Sequence, residues 1–278
     1  MIDTHCHLNF SAFKGEAEAA QERARAAGVT AIINVGSQWD TSERGVEMAQ
    51  GSDGLYAAIG LHPLHLFEQK VDEEETHFTT RAEVFDAARY TALAKSSPKV
   101  VAVGECGLDY YRLPEGVDPV AVKRGQAVLF EQQIDLATSL NLPLIIHCRE
   151  AYDDLFTILK RAVDAGKLPQ RGVNHCFLGT REQARKFLEL GFYISFTGII
   201  TFKNVKPELL EVVKETPLNR IMVETDAPYL APQAYRGQKN EPAYVVEVAK
   251  KIAGVKDMGI KEVDYATTKN AQVLFGFS

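Results

Sequence analysis

A chain of 278 residues, 46% of them hydrophobic, is long enough to build one large α/β domain or two small ones around a full core. No apolar run is long enough to cross a membrane, and the first residues carry no basic leader, so a cytoplasmic protein is expected. The net charge of −6 argues against broad electrostatic attachment to nucleic acid, although an enzyme can still touch a few phosphates through metal ions and local arginines.

Short apolar runs recur along the chain, most of them followed by a stretch of helical period. Residues 1–7 form the first predicted strand, with a helix near 16–27. The second strand is 31–35, with a helix near 40–50, and the third is 55–60. The fourth, 100–105, leads into a long helix at 120–140. The fifth, 144–148, precedes a helix at 151–165, and the sixth, 172–176, one at 180–190. The seventh, 192–196, is followed by a short helix near 207–215. The eighth, 221–225, is followed by two, near 243–253 and 262–275.

Continuous rather than alternating apolar runs fit strands covered on both faces, as in a parallel sheet. Eight strand–helix units in this length predict a (β/α)8 TIM barrel, read as a single domain over residues 1–278. An open doubly wound sheet fits less well, because no Gly-rich phosphate turn follows the first strand. The stretch 66–98 reads as an irregular lengthening of the third connection, its acidic run 72–75 as a solvated face or a helix start. Cys6, Cys106, Cys148 and Cys176 lie too far apart for a CxxC motif, and each follows directly after a candidate metal ligand. Their expected role is packing towards the helices, and free buried thiols suit a reducing compartment.

Barrel active sites form at the C-terminal ends of the strands. The opening Asp3-Thr4-His5-Cys6-His7 puts Asp3, His5 and His7 on one strand face. Glu105 ends strand four, His147 strand five, His175 strand six and Asp226 strand eight. One ligand-type residue at a strand end is unremarkable, but six at matching ends of five strands point to metal. Six ligands exceed what one catalytic ion takes. His5, His7 and Asp226 are assigned to a first divalent ion, His147 and His175 to a second, and Glu105 to a bridge between them. Such a pair lowers the pKa of a shared water and clamps the entering and leaving oxygens of a displacement. Asp226 is also the candidate general base, given a free oxygen.

The same motifs resemble a known family. Asp-x-His-x-His at the start, Gly-Leu-His-Pro at 60–63 and Gly-Glu-Cys-Gly-Leu-Asp-Tyr-Tyr at 104–111 are three of them. His-Cys-Arg at 147–149, His-Cys-Phe at 175–177, Tyr-Ile-Ser-Phe-Thr-Gly at 193–198 and Val-Glu-Thr-Asp-Ala-Pro-Tyr-Leu at 223–230 follow. With Arg-Gly-Gln-Lys-Asn-Glu-Pro at 236–242, they are similar, in order and over nearly the whole chain, to the TatD metal-dependent hydrolases. The resemblance implies a TIM barrel of the amidohydrolase-like group and a divalent-metal-dependent deoxyribonuclease. It further implies a 3′→5′ exonuclease on single strands, with roles in DNA repair and fragmentation. It carries metal-ligand roles onto His5, His7, Glu105, His147, His175 and Asp226; the ligand types suit zinc or manganese, and the resemblance leaves magnesium open. The expected partner is DNA at single-stranded ends, with RNA as an alternative and no membrane or obligate protein partner.

Around this core, His62 reads either as a hydrogen-bonder of a phosphate or leaving oxygen or as a loop-capping histidine, while His65 reads as a loop residue. Arg149 is positioned to neutralise a phosphodiester. Arg112, Lys203, Arg236 and Lys239 are further phosphate candidates on predicted loops, though they read chiefly as surface charge. Tyr110 and Tyr111 are candidates for stacking on a base or, equally, for packing within the loop. Glu224 and Asp3 are expected to support the ligands from a deeper layer, and Asp109 reads as either such a support or a loop cap. Two rival readings remain: the same centre hydrolysing an amide, ester or lactone, and a metal-stabilised scaffold without catalysis.

Overall fold

The computed structural model describes residues 1–73 and 76–277, without the side chains of 71–78. Eight strands form one parallel sheet in chain order: β1 (Ile2–Cys6), β2 (Ala31–Val35), β3 (Leu55–Ile59), β4 (Val100–Asp109), β5 (Leu144–Arg149), β6 (Gly172–Asn174), β7 (Tyr193–Phe196) and β8 (Ile221–Val223). Nine α-helices alternate with them among the described residues. These are α1 (Ala17–Ala26), α2 (Trp39–Gln50), α3 (Ala87–Lys95), α4 (Pro119–Leu140), α5 (Tyr152–Asp164), α6 (Arg181–Glu189), α7 (Pro207–Glu215), α8 (Val245–Lys256) and α9 (Ile260–Phe275). The architecture is the expected (β/α)8 barrel, and no helix is long and apolar enough to cross a membrane among the described residues.

Alternation along the strands divides the core into two. Ile33, Val35, Ala58, Val101, Ile145, Val173, Tyr193 and Met222 fill the barrel interior. Ile32, Ile59, Leu144, Ile146, Ile194 and Val223 face the helices. Each such fully buried aliphatic contributes about 1.5–3 kcal/mol relative to exposure. Ala271, Leu274 and Phe275 of α9 pack into the interior cluster beside Ile2 and Ala31 at the strand starts. That plug closes the N-terminal end, so chemistry is left to the opposite mouth.

The sheet closes without a regular β1–β8 ladder. Cys6 and Ala227 form an isolated bridge, His7 N donates to Ala227 O at 2.7 Å, and Asp226 N donates to His5 O at 2.8 Å. Below them, the Asp3 carboxylate accepts from Thr225 N at 2.9 Å, Thr225 Oγ1 at 2.6 Å and His5 N at 3.3 Å. Asp3 therefore ties the seam and the His5 backbone. It makes no bond to either imidazole, which corrects the expectation that it orients the rings. Burial pushes its carboxyl up to about 8, against the bonds from Thr225 and His5.

The third connection also departs from expectation. It holds an antiparallel pair, Lys70–Glu73 with Thr76–Thr79, and then α3, which packs between α2 and α4 as the third helix of the barrel. Of the acidic run 72–75, residues 72 and 73 continue a strand rather than start a helix, and 74 and 75 lie outside the described residues. Asp86 caps α3, accepting from Ala88 N and Arg89 N. Tyr90 anchors the helix by donating to Gly60 O at 3.2 Å.

Candidate metal centre

Four ligand atoms converge at the seam. His5 Nε2 and His7 Nε2 are 3.2 Å apart. Glu105 Oε2 lies 3.6 and 3.7 Å from them, and Asp226 Oδ1 lies 3.6 and 3.4 Å from them. Tetrahedral ligands with bonds of roughly 2.1 Å sit about 3.4 Å from one another, so these atoms fit one ion. On the other side, Glu105 Oε1 lies 3.1 Å from His147 Nδ1 and 3.0 Å from His175 Nε2. Those two nitrogens are 3.4 Å apart. The carboxylate of Glu105 thus turns one oxygen to each group, in the place assigned to the bridge.

Local backbone explains how the sequence delivers these atoms. Gly107, at φ +139°, lies so close to β5 that a Cβ would overlap the His147 carbonyl, so only glycine lets β4 and β5 approach here. Asp226 takes a left-handed conformation, φ +58°, which asparagine and aspartate tolerate better than most residues. It is held there by its bond to His5 O and by Asn240, whose Nδ2 donates to Thr225 O at 2.8 Å and Tyr229 O at 2.6 Å. The loop bearing Asn240 is clamped to α1 by a bidentate Arg23–Glu241 pair.

Hydrogen-bond partners select the tautomers of His7 and His147, and a nearby carboxylate favours that of His175. His7 Nδ1 donates to Val35 O at 2.8 Å, leaving Nε2 for an ion, and its ring stacks on Phe10. His147 Nε2 meets Asp109 Oδ2 at 3.1 Å, leaving Nδ1. His175 Nδ1 lies 3.3 Å from Glu224 Oε1, leaving Nε2. Asp109 also accepts from Tyr111 N and Arg112 N, so it is both a histidine partner and a loop cap. Glu224 is fully buried and accepts from Cys176 N at 2.7 Å, in the deeper layer that its parity with Asp226 predicts.

His62 behaves differently. Its Nε2 is 3.4 Å from Glu105 Oε1, beside His147. Its Nδ1, however, accepts from Leu64 N at 3.2 Å, and burial together with His147 holds it well below the usual histidine range. A neutral ring accepting at Nδ1 carries its proton on Nε2, so His62 is a donor here rather than a ligand. His65 is buried one turn further on.

Charge is balanced within the cluster. Burial works against ionised Glu105, yet His62 and His175, with hydrogen bonds from His147 and His175, hold it well below the usual carboxylate range. Asp226 is likewise held low against burial by His7 and His5. Conversely, despite burial, Asp109 and Glu105 raise His147 to about 8, and Glu105 with Glu224 raises His175. A cluster of imidazoles held by carboxylates is a donor set suited to divalent ions such as zinc or manganese.

The centre floors a cavity of about 640 Å³, whose lining includes Phe10, Tyr111, Arg112, Arg149, Phe202, Tyr229 and Arg236. Arg149 is positioned at this mouth, its guanidinium 3.7 Å over the Tyr111 ring. Tyr110 is not at the mouth, which corrects its assignment. Its hydroxyl donates to Asp154 at 2.8 Å and Lys123 lies over its ring. The reason is strand parity: Tyr111 shares the side of Asp109 and Glu105, and Tyr110 faces the helices. Parity was enough to choose between them; nothing in the sequence marks Phe10 or Phe202. Lys239 is tied to Glu16 and Ala12 O, and exposed Lys203 is outside the cavity lining. Cys6, Cys106 and Cys148 pack in the outer core, whereas Cys176 is half-buried at the cavity. Burial raises all four thiols, so none is a ready thiolate.

A (β/α)8 barrel whose mouth carries histidines and aspartate in two groups joined by one glutamate defines a metal-dependent hydrolase. Sequence comparison agrees in detail. The chain belongs to the TatD-related DNase family, whose sequence model matches residues 2–276. It is 40% identical over 277 residues to the uncharacterized metal-dependent hydrolase YabD of Bacillus subtilis, covering 99% of this chain and 98% of the relative. It is 34% identical over 280 residues to YcfH of Escherichia coli K12, also an uncharacterized metal-dependent hydrolase, covering 99% of this chain and 95% of the relative. The crystal structure of the TatD homologue YjjV from Escherichia coli K12 superposes with a TM-score of 0.87 at 33% identity, covering 100% of this chain and 98% of that one.

Proposed function

We propose that this hydrolase cuts the phosphodiester bonds of DNA, removing nucleotides from the 3′ end of single strands with two divalent ions. The observation that carries the reading is the Glu105 carboxylate, one oxygen in each ligand group, beneath a mouth bearing Arg112, Arg149 and Arg236. His5, His7 and Asp226 would hold one ion and His147 and His175 the other, sharing Glu105. When bound, such ions activate water and offset charge on the phosphate. The remaining work belongs to the chain. Asp226 engages both histidines through Oδ1, which leaves Oδ2 to take a proton from the attacking water. His62 Nε2–H donates to a phosphoryl or leaving oxygen. The arginines hold the phosphate in register, and they bring local positive charge to an acidic protein. End trimming of this kind would serve DNA repair or turnover, and the free thiols support a reducing compartment such as the cytoplasm.

The test is an end-labelled single-stranded oligonucleotide incubated with metal-stripped protein, with magnesium, manganese or zinc restored and Glu105→Ala as control. A ladder shortening from the 3′ end, dependent on metal and absent in the control, is expected. Intact DNA with every ion, alongside turnover of small esters, amides or lactones, would move the function to carbonyl hydrolysis.

A further inference from the structure

The cavity carries two aromatic–arginine pairs that the metal chemistry does not need. Arg149 lies 3.7 Å over the Tyr111 ring, with Arg112 5.9 Å from it on the same loop. Arg236 lies 4.5 Å over the Phe202 ring. The first pair follows β4 and β5, the second follows β7 and β8, and all these residues line the cavity that holds Glu105 and Asp226. Tyr111 is 54% exposed although it is large and aromatic, so much of the ring is open to a ligand. A protein of net charge −6 thus gathers three arginines around one opening that also holds the rings of Phe10, Tyr111, Phe202 and Tyr229.

Planar rings backed by guanidinium groups bind planar, π-rich groups attached to anions, which is the chemistry of an unpaired nucleotide. Hydrogen bonding plays little part in such a platform, so it tolerates any base. Two platforms on separate arcs of the mouth, one after β4 and β5 and one after β7 and β8, suit a strand that crosses the opening.

We propose that Tyr111 with Arg149, and Phe202 with Arg236, are two nucleobase subsites, one on each side of the scissile phosphate. The assignment rests on the nuclease reading and adds a requirement to it: the base of the departing nucleotide and the base of the retained strand are both gripped. A duplex end must then unpair before it is cut.

Abasic substitution tests this directly. Oligonucleotides lacking the base at one position, on either side of the cleaved bond, are compared with the intact strand for kcat/KM and for affinity. Wild-type protein loses roughly tenfold at each of the two positions, within the range of base–aromatic stacking. Tyr111→Ala loses a similar factor on the intact strand but is indifferent to the missing base on one side. Phe202→Ala is indifferent on the other side. Tyr111→Phe and Phe202→Tyr keep the wild-type pattern, and Tyr265→Ala, at an exposed tyrosine outside the cavity, serves as a surface control. Variants that remain sensitive at both positions, or that both lose sensitivity at the same one, overturn the two subsites while wild-type cleavage stands. Wild-type protein that neither binds nor cuts the intact strand overturns the nuclease reading and the subsites with it.

Discussion

Single atoms separate the histidines of this centre that are free to take an ion from the one that is set up as a donor. His62 and His147 both approach Glu105 Oε1, at 3.4 and 3.1 Å. What separates them is the second nitrogen, which accepts from Leu64 N in His62 and meets Asp109 in His147. His62→Ala is therefore expected to lower kcat by roughly 10²-fold, the scale of a lost proton donor, while the metal content stays that of the wild type. Metal analysis of the purified variant beside its kinetics checks this; loss of an ion would make His62 a ligand instead. His62→Gln, which retains an N–H, should recover part of the rate. The sequence could place His62 near the mouth through Gly-Leu-His-Pro, but the tautomer depends on a backbone N–H two residues away and was not legible. Glu224 was legible, because strand parity alone put it below Asp226. Asp3 shares a strand face with His5 and His7, yet its bonds go to the seam, and only the closed barrel shows that.

At the level of elements, the barrel was readable because its strands are short, apolar and each set beside a helix. The third helix escaped for a physical reason. α3 reads Ala-Ala-Arg-Tyr-Thr-Ala-Leu-Ala-Lys and buries only Tyr90 and Ala94, so its apolar stripe is too thin for periodicity to show. Its available signal was Asp86 at the cap before an alanine-rich run. The seam raises a different question, since β1 and β8 meet through one bridge rather than a ladder. Asp3 makes up part of the difference by accepting three hydrogen bonds from Thr225 and His5. Asp3→Ala leaves those donors buried and unpaired and should cost about 2–4 kcal/mol. Urea unfolding should show a lower midpoint at an unchanged m-value. Asp3→Asn, which keeps one acceptor oxygen, should lie between the two. An unchanged midpoint in Asp3→Ala would mean that the seam is held by its backbone bonds alone.

For the whole molecule, folding has gathered imidazole lone pairs and carboxylates that only protons or ions can reconcile. His5 is stacked 4.0 Å from His175, and its Nε2 lies within 3.2 Å of that of His7. In the metal-free protein the carboxylates answer this by holding protons on the imidazoles. His147 rises to about 8 despite burial, through Asp109 and Glu105, and His175 and His7 are raised as well. Metal binding must expel those protons, because a ligand nitrogen has to be free. The sign follows. At pH 7 His147 is largely protonated, and His175 and His7 are shifted the same way, whereas burial and His175 lower His5; affinity should therefore strengthen as pH rises towards and through 8 and weaken as it falls. Calorimetric titration of stripped protein in two buffers of different ionisation enthalpy would count the protons released. At least one proton per protein is expected at pH 7, with fewer at pH 9. The same ions should raise Tm with concentration, since the assembled donor set exists only in the folded chain. A pH-independent affinity with no proton release would show that these histidines are not the ligands, and the two-ion centre would have to be abandoned.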